Sequence, residues 1–317
     1  MSDPLDPALV EPTGEPGSPV AREGGRALER RRRAVAYGLL APGTLYLLFA
    51  FILPLLLIVY TSLMSGGLLS GGGFTFTGEF SNYPDAISTY GPFYARSVVY
   101  SGIATILCIS FAYPMAYWIA FYGGRWKSTL FFLILVPFFV SFVVRTVQWK
   151  FILGDNGLLF GPLKDLGLLP DDFRVLATPV AVVAGITYNF LPFSALPLYV
   201  ALERIDKKLV EAAKDLYATK FEAFRKVVLP LSVPGIFAAV ILTFVPATGD
   251  YVNSSILGNP STTMIGQVIQ TKFLRELNYP DASALSVILM VGMLVIALIY
   301  ARILGTEDET LAAGAAG

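Results

Sequence analysis

The chain has 317 residues, 55% hydrophobic and 15% charged, with 23 basic and 23 acidic side chains and no histidine. A soluble domain carries about a quarter charged residues. This shortfall, with a mean hydropathy of +0.65, excludes an ordinary soluble protein and points to an all-α polytopic membrane protein. The missing histidine removes the commonest metal ligand and general base. The single cysteine, Cys108, excludes a disulfide framework and reads as a small packing residue in an apolar run.

Residues 1–34 are rich in Pro, Gly and acidic side chains and end in Arg30-Arg31-Arg32-Arg33. They cannot bury a core and are expected to form a disordered tail. The arginine cluster abuts the first apolar run, so it reads as a positive-inside signal rather than a nucleic-acid footprint, and it places the N-terminus in the cytoplasm. The first apolar run, 37–62, is too long for a signal-peptide core. Five further runs of about twenty apolar residues fall near 96–122, 129–152, 178–200, 232–251 and 282–303. The membrane-spanning body therefore covers 35–303, and 304–317 is a second cytoplasmic tail.

The segment from Ser65 to Ala95 has no Lys or Arg and is rich in Gly, Ser and Thr, as expected of an external loop. Arg125 and Lys127 follow the second span, and six basic residues between Lys207 and Lys226 follow the fourth. Both loops lie inside if the N-terminus does. Within the spans stand Pro54, Pro114, Pro137, Pro192, Pro197 and Pro246, which read either as breaks lining a transport path or as kinks for packing. Arg145 lies toward the outer end of the third span and is expected to pair with a carboxylate inside the bundle, the alternative being that it snorkels to the interface. In the fourth span Tyr188, Asn189 and Phe190 precede Pro192. The flat face of Tyr188 suits an ammonium ion.

The loop at 203–230 is polar, basic and helix-patterned between two apolar spans. Asp206 can cap a first helix whose apolar face is Leu209, Val210, Ala213 and Leu216. Thr219-Lys220-Phe221-Glu222 has the capping-box form, so a second helix starts there with Phe221, Phe224, Val227 and Val228 on one face. Pro230 ends it or opens the next span. The plain alternative is an ordinary surface helix hairpin. In the fifth span Pro246 and Gly249 break the helix just before Asp250 and Tyr251. The carboxylate is either an anionic site in the path or the cap of the next short helix.

Glu211-Ala212-Ala213, with Leu229-Pro230 sixteen residues after the second alanine, resembles the EAA loop of ABC importer permeases. The position held by Gly in that family is Tyr217, where φ > 0 is often needed. The resemblance implies the six-helix, MetI-like fold of type I importers. It also implies that Glu211, Ala212, Ala213, Asp215, Tyr217, Ala218, Phe221, Leu229 and Pro230 dock into a separate ATP-binding subunit. Leu191-Pro192-Phe193, Pro197-Leu198-Tyr199, Pro246-Ala247, Leu257-Gly258, the run Met264 to Gln270 and the run Tyr279 to Ala284 are similar to the spermidine/putrescine subgroup, first permease subunit.

On that resemblance the chain forms half of a translocation path for a small solute, most simply a polyamine, with Asp250, Tyr188, Asn189 and Tyr251 as candidate path residues. Its expected partners are ATPase subunits, a second permease, an extracytoplasmic solute-binding protein and membrane lipid, with no nucleic acid. The expected location is the bacterial inner membrane. No G-x-x-x-x-G-K-[ST] loop, metal-ligand cluster or nucleophile–base motif is visible, so the chain is expected to be no enzyme. ATP and Mg are expected on the partner and no cofactor in this chain. The alternatives are an importer of another small solute, such as an opine or amino-acid derivative, and an ion-coupled secondary carrier.

Overall fold

The computed structural model describes residues 19–67 and 73–314, with side chains at 35, 37–67 and 73–302. The chain divides into two units, 1–57 and 58–317. The first unit carries most of helix α1 (Pro19–Ser62). From Pro19 onward the expected disordered tail is helix instead, with proline at its start, where a missing N–H costs nothing, and with Ala, Arg, Glu and Leu as good helix formers. The remainder of that tail lies outside the described residues. Leu39, Leu45, Phe49 and Phe51 are all exposed. A helix apolar on every side is what a lipid environment selects.

The second unit opens on a small hairpin, β1 (Met64–Gly67) paired antiparallel with β2 (Gly73–Phe76) in the register Met64–Phe76 and Gly67–Gly73. The stretch expected as a loop to Ala95 is therefore partly ordered. It is also shorter, because α2 runs from Asn82 to Tyr122. Its early turns are held by Tyr90, Phe93 and Tyr94, which pack on Ile265 and Leu285. The Tyr94 hydroxyl donates to the Leu285 carbonyl at 2.7 Å.

Three long helices form the core: α2, α6 (Pro179–Glu203) and α9 (Leu229–Thr248). On α2, Ala104, Cys108, Ala112 and Ala116 recur every fourth residue and are fully or almost fully buried. Small side chains let helix backbones approach closely where lipid offers no hydrophobic drive. The Cys108 thiol donates to the Thr187 carbonyl of α6 at 3.2 Å, so the cysteine is part of this packing. Hydroxyl pairs tie the three helices: Ser101–Thr248 at 2.7 Å, Ser194–Thr243 at 2.7 Å and Tyr113–Ser232 at 2.8 Å.

The third span is broken. α3 (Lys127–Leu135) passes into a 3₁₀ turn over Val136–Phe139, and α4 (Phe142–Ile152) leaves it at 90°. Pro137 and the extended backbone of Val140 and Ser141 make the corner. Among the described residues five helices are thus long and apolar enough to cross a membrane, and six if the bent pair is one span. Pro54, Pro114, Pro192, Pro197 and Pro246 sit inside continuous helices and are not breaks; α9 ends at Gly249, not at Pro246. Short helices α5 (Phe160–Asp165), α7 (Lys207–Asp215), α8 (Lys220–Ala223), α10 (Val252–Leu257) and α11 (Ile265–Leu274) fill the connections. Helix α12 runs from Tyr279 to Gly314, so most of the second expected tail is helical as well.

The start of α11 lies directly on the end of α9. A Cβ on Gly266 would collide with the Gly249 carbonyl oxygen, a backbone atom that no rotamer change can remove. Gly266→Ala is therefore expected to lower stability by about 1–3 kcal/mol, read as a drop in the unfolding temperature of the detergent-purified chain. An unchanged temperature would refute this close approach.

Candidate functional site

The loop after α6 is an elbow with built-in stops. The Asp206 side chain accepts the Lys208 N–H at 3.0 Å and starts α7. At the other end Ala218 N–H reaches the Ala213 carbonyl at 3.1 Å and Tyr217 N–H the Lys214 carbonyl at 2.9 Å. That is the Schellman pattern, with Tyr217 at the left-handed position usually given to glycine. Its φ is +63°. The chain keeps the turn and tolerates the strain. Thr219 then caps α8 in a full capping box with Glu222. A π-turn over Phe224–Val228 passes into α9, whose first turn holds Pro230. Pro230 has no N–H to donate back, and the wider turn absorbs the missing bond.

The apolar residues of the elbow do not share one face, as the sequence suggested; they split. Val210, Phe224 and Val228 face the helices, where Phe224 meets Tyr113 and Tyr117 edge-on at 5.9 and 5.5 Å. Leu209 faces out, as do Leu216 at 82% exposed, Tyr217 at 97% and Phe221 at 69%. Glu211 stands apart from that outer set. With Lys207, Val210 and Lys214 it lines a cavity against the end of α2. Ala212 and Asp215 are exposed, Ala213, Ala218 and Leu229 are half-buried, and Pro230 is exposed.

The second candidate region is the end of α9. Gly249 closes the helix, and the Asp250 carboxylate, 6% exposed, turns into the start of α10. Its Oδ1 accepts Val252 N–H at 2.8 Å and Asn253 N–H at 3.2 Å, and its Oδ2 accepts the Asn253 side-chain amide. Asn253 Oδ1 in turn accepts from Asn189 Nδ2 at 3.1 Å, and Asn189 Nδ2 also donates to Thr146 Oγ1 at 2.9 Å. Asp250 and Asn189 are thus joined, through Asn253, into one buried network across α4, α6 and α10. The geometry is that of a cap. Tyr251 points elsewhere, half-exposed, into a cavity of about 840 Å³ between α9, α11 and α12, lined also by Val245, Gln270, Phe273 and Met290. Tyr188 lies against Trp149 at 5.3 Å. The network residue that the sequence reading missed is Asn253, whose only signal was its place three residues after Asp250.

Arg145 has no carboxylate partner among the described residues, contrary to expectation. It is 7% exposed, it stands over the Phe142 ring at 5.7 Å, and its Nε and Nη1 have no hydrogen-bond acceptor there. The acidic groups nearest in kind are already committed: Asp250 to α10, Asp155 to Arg174 at 3.1 Å, and Glu276 to Lys272 at 2.6 Å.

A membrane-embedded helical bundle with a broken third span and a capped elbow between its fourth and fifth spans defines a multi-pass transport permease. Residues 109–305 match the family described as binding-protein-dependent transport system inner membrane component, and the chain belongs to that family. The spermidine/putrescine transport system permease protein PotB of Haemophilus influenzae is 36% identical over 261 residues, covering 81% of this chain and 90% of that one. PotB of Escherichia coli is 35% identical over 259 residues, covering 80% and 92%. Among solved structures, a bacterial ABC transporter that imports the acidic polysaccharide alginate shares the fold at 18% identity. Its TM-score is 0.62, over 88% of this chain and 98% of that one.

Two substitutions test these sites. Tyr217→Gly removes a left-handed non-glycine residue and is expected to raise the stability of the purified chain by about 1 kcal/mol, seen in thermal unfolding; a loss would show that the Tyr217 ring packs where it looks free. Arg145→Met keeps side-chain length and removes an uncompensated buried charge. The expected result is equal or higher stability, by about 1–4 kcal/mol, and a clear drop would refute the unpaired state.

Proposed function

We propose that this chain is one permease subunit of an ATP-driven importer, forming half of the translocation path. The observation that carries this is the exposed outer set of the elbow, Leu216, Tyr217 and Phe221, on a loop whose inner face is bolted to α2 and α9. Large apolar side chains held in water at a folded turn serve a partner's groove. That partner is a separate ATPase subunit, which binds ATP and Mg. Leu209, Ala212, Leu216, Tyr217 and Phe221 form the docking face, Ala213 and Ala218 let the partner's backbone come close, and Glu211 lies at the edge. The elbow is on the cytoplasmic side, with both termini, in the bacterial inner membrane. A second permease and an extracytoplasmic binding protein complete the importer.

The solute is a polyamine. Relatives at 35–36% identity over four-fifths of the chain carry spermidine/putrescine transport in their names. The half-exposed rings of Tyr188 and Tyr251 offer ammonium-binding faces, each next in sequence to a residue of the Asp250–Asn189 network. A second reading is an importer of a small solute that bears a carboxylate, which the unpaired Arg145 would suit.

Uptake of labelled spermidine by cells carrying the whole importer tests both parts. Expected are spermidine uptake by the wild type and a loss of about tenfold or more in Leu216→Asp and Phe221→Asp, with normal membrane insertion. Normal uptake in both variants would refute the docking face. Uptake of a carboxylated amine with none of spermidine would favour the second reading.

A further inference from the structure

We propose that the cavity between the end of α2 and α7 holds the phosphate of an anionic phospholipid headgroup. The inference rests on the cytoplasmic placement of the elbow given above. The cavity measures about 170 Å³ and is lined by Tyr117, Tyr122, Lys207, Glu211, Lys214 and Lys220, with Phe121 and Val210 as its apolar part. Three ammonium groups therefore surround one carboxylate. Neither Glu211, Lys214 nor Lys220 belongs to an ion pair among the described residues. The Lys207 ammonium donates to the Phe121 carbonyl at 3.2 Å, which fixes it at the free carbonyl end of α2. Like charges gathered around a small concavity with two charges in excess call for an anion with several acceptor oxygens. A phosphate supplies them, and the tyrosine hydroxyls can add neutral donors.

The position selects a lipid over a soluble anion. Tyr122 is the last residue of a membrane-crossing helix, and Trp126 follows one turn later; both are exposed, as interfacial aromatics are. Met115, Trp118 and Tyr122 are exposed at helical spacing along α2 below the cavity, an apolar track for an acyl chain. Basic pockets between helices at the cytoplasmic surface are where anionic headgroups gather. The position also argues against a protein side chain as occupant, because the exposed apolar residues of the elbow, Leu216, Tyr217 and Phe221, do not line the cavity. A bound phosphate would bridge Lys207 and Lys214 of α7 to Lys220 of α8, across the strained turn at Tyr217. It would hold the elbow at a fixed angle to α2.

The test uses the full-length chain, purified without its partners and placed in nanodiscs of phosphatidylglycerol and phosphatidylcholine in equal parts. The lipid that stays bound after transfer to detergent is counted by native mass spectrometry. The wild type is expected to retain phosphatidylglycerol in preference to phosphatidylcholine. Lys214→Gln/Lys220→Gln is expected to reduce that preference by about tenfold. Lys226→Gln, a lysine of the same loop outside the cavity, is expected to leave it unchanged. Equal preference in the double variant, or an equal loss in Lys226→Gln, overturns the proposal. Displacement by millimolar inorganic phosphate identifies a soluble-anion site and overturns the lipid. Displacement by added ATPase subunit identifies a protein occupant and does the same. Because retention is read without an ATPase, a failure of the docking face leaves this result standing, and the reverse also holds.

Discussion

Inside hydrocarbon a backbone N–H or C=O has no water to fall back on, so each departure from helix must be met by a side chain. That constraint explains where the polar residues of this permease sit. Between α9 and α12 the chain leaves helix repeatedly, and each departure is closed. Asp250 takes the first amides of α10, and the Ser254 hydroxyl takes the Met264 N–H. Ser97 of α2 takes the Ile265 N–H, and Asn259 closes the turn at Pro260 to Thr262. Arg96 reaches the Thr263 carbonyl at 2.8 Å. A polar residue in this stretch is structural before it is anything else. Asp250 illustrates this well, since its three acceptor contacts leave little of the carboxylate for a solute.

The same reasoning separates the two faces of the elbow. Its helices are too short to stand alone, so it borrows stability from Val210, Phe224 and Val228 against α2 and from two complete caps. Once those contacts are made, the remaining apolar residues have no internal use. Leu216, Tyr217 and Phe221 are left exposed, at a cost that nothing within the described chain offsets. Tyr217 bears two costs at once, exposure of its ring and a left-handed backbone. Such doubly unfavourable residues are typical of functional turns, where strain persists because the surroundings fix it.

The parts legible in the sequence were those set by local chemistry. Asp206 and the Thr219–Glu222 box are short-range signals, and both caps form as written. The six apolar runs were legible from composition. Tyr217 was recognisable as a residue in a glycine's place. What the sequence hid depended on partners distant in the chain. Periodicity put Leu209 and Val210 on one apolar face, but only the position of α2 decides that Val210 goes in and Leu209 out. Arg145 was expected to find a carboxylate, yet none pairs with it among the described residues, and Asp250 is committed to the start of α10. Proline was a poor guide: Pro192 and Pro197 lie in an unbroken α6, whereas Pro137 marks a right-angle turn. The difference lies in the Val140–Ser141 backbone that follows it, extended rather than helical.

The two candidate regions are joined by one element. Helix runs without interruption from Lys220 to Thr248, and 29 residues at 1.5 Å each span about 43 Å. The elbow stands at one end and the Gly249–Asp250 break at the other. A helix packed on two neighbours is stiff along its axis, and α9 is tied to α2 and α6 by the Ser101–Thr248, Tyr113–Ser232 and Ser194–Thr243 pairs. The soft points lie at the ends: the π-turn at Phe224–Val228, and Gly249, where the helix stops. At the far end Gly266 lies so close to the Gly249 carbonyl that no side chain fits between α11 and the end of α9. The wall of the large cavity that carries Tyr251 and Gln270 is built from these elements. In this geometry a single helix joins the elbow to the wall of the large cavity, so the two candidate regions share one structural element.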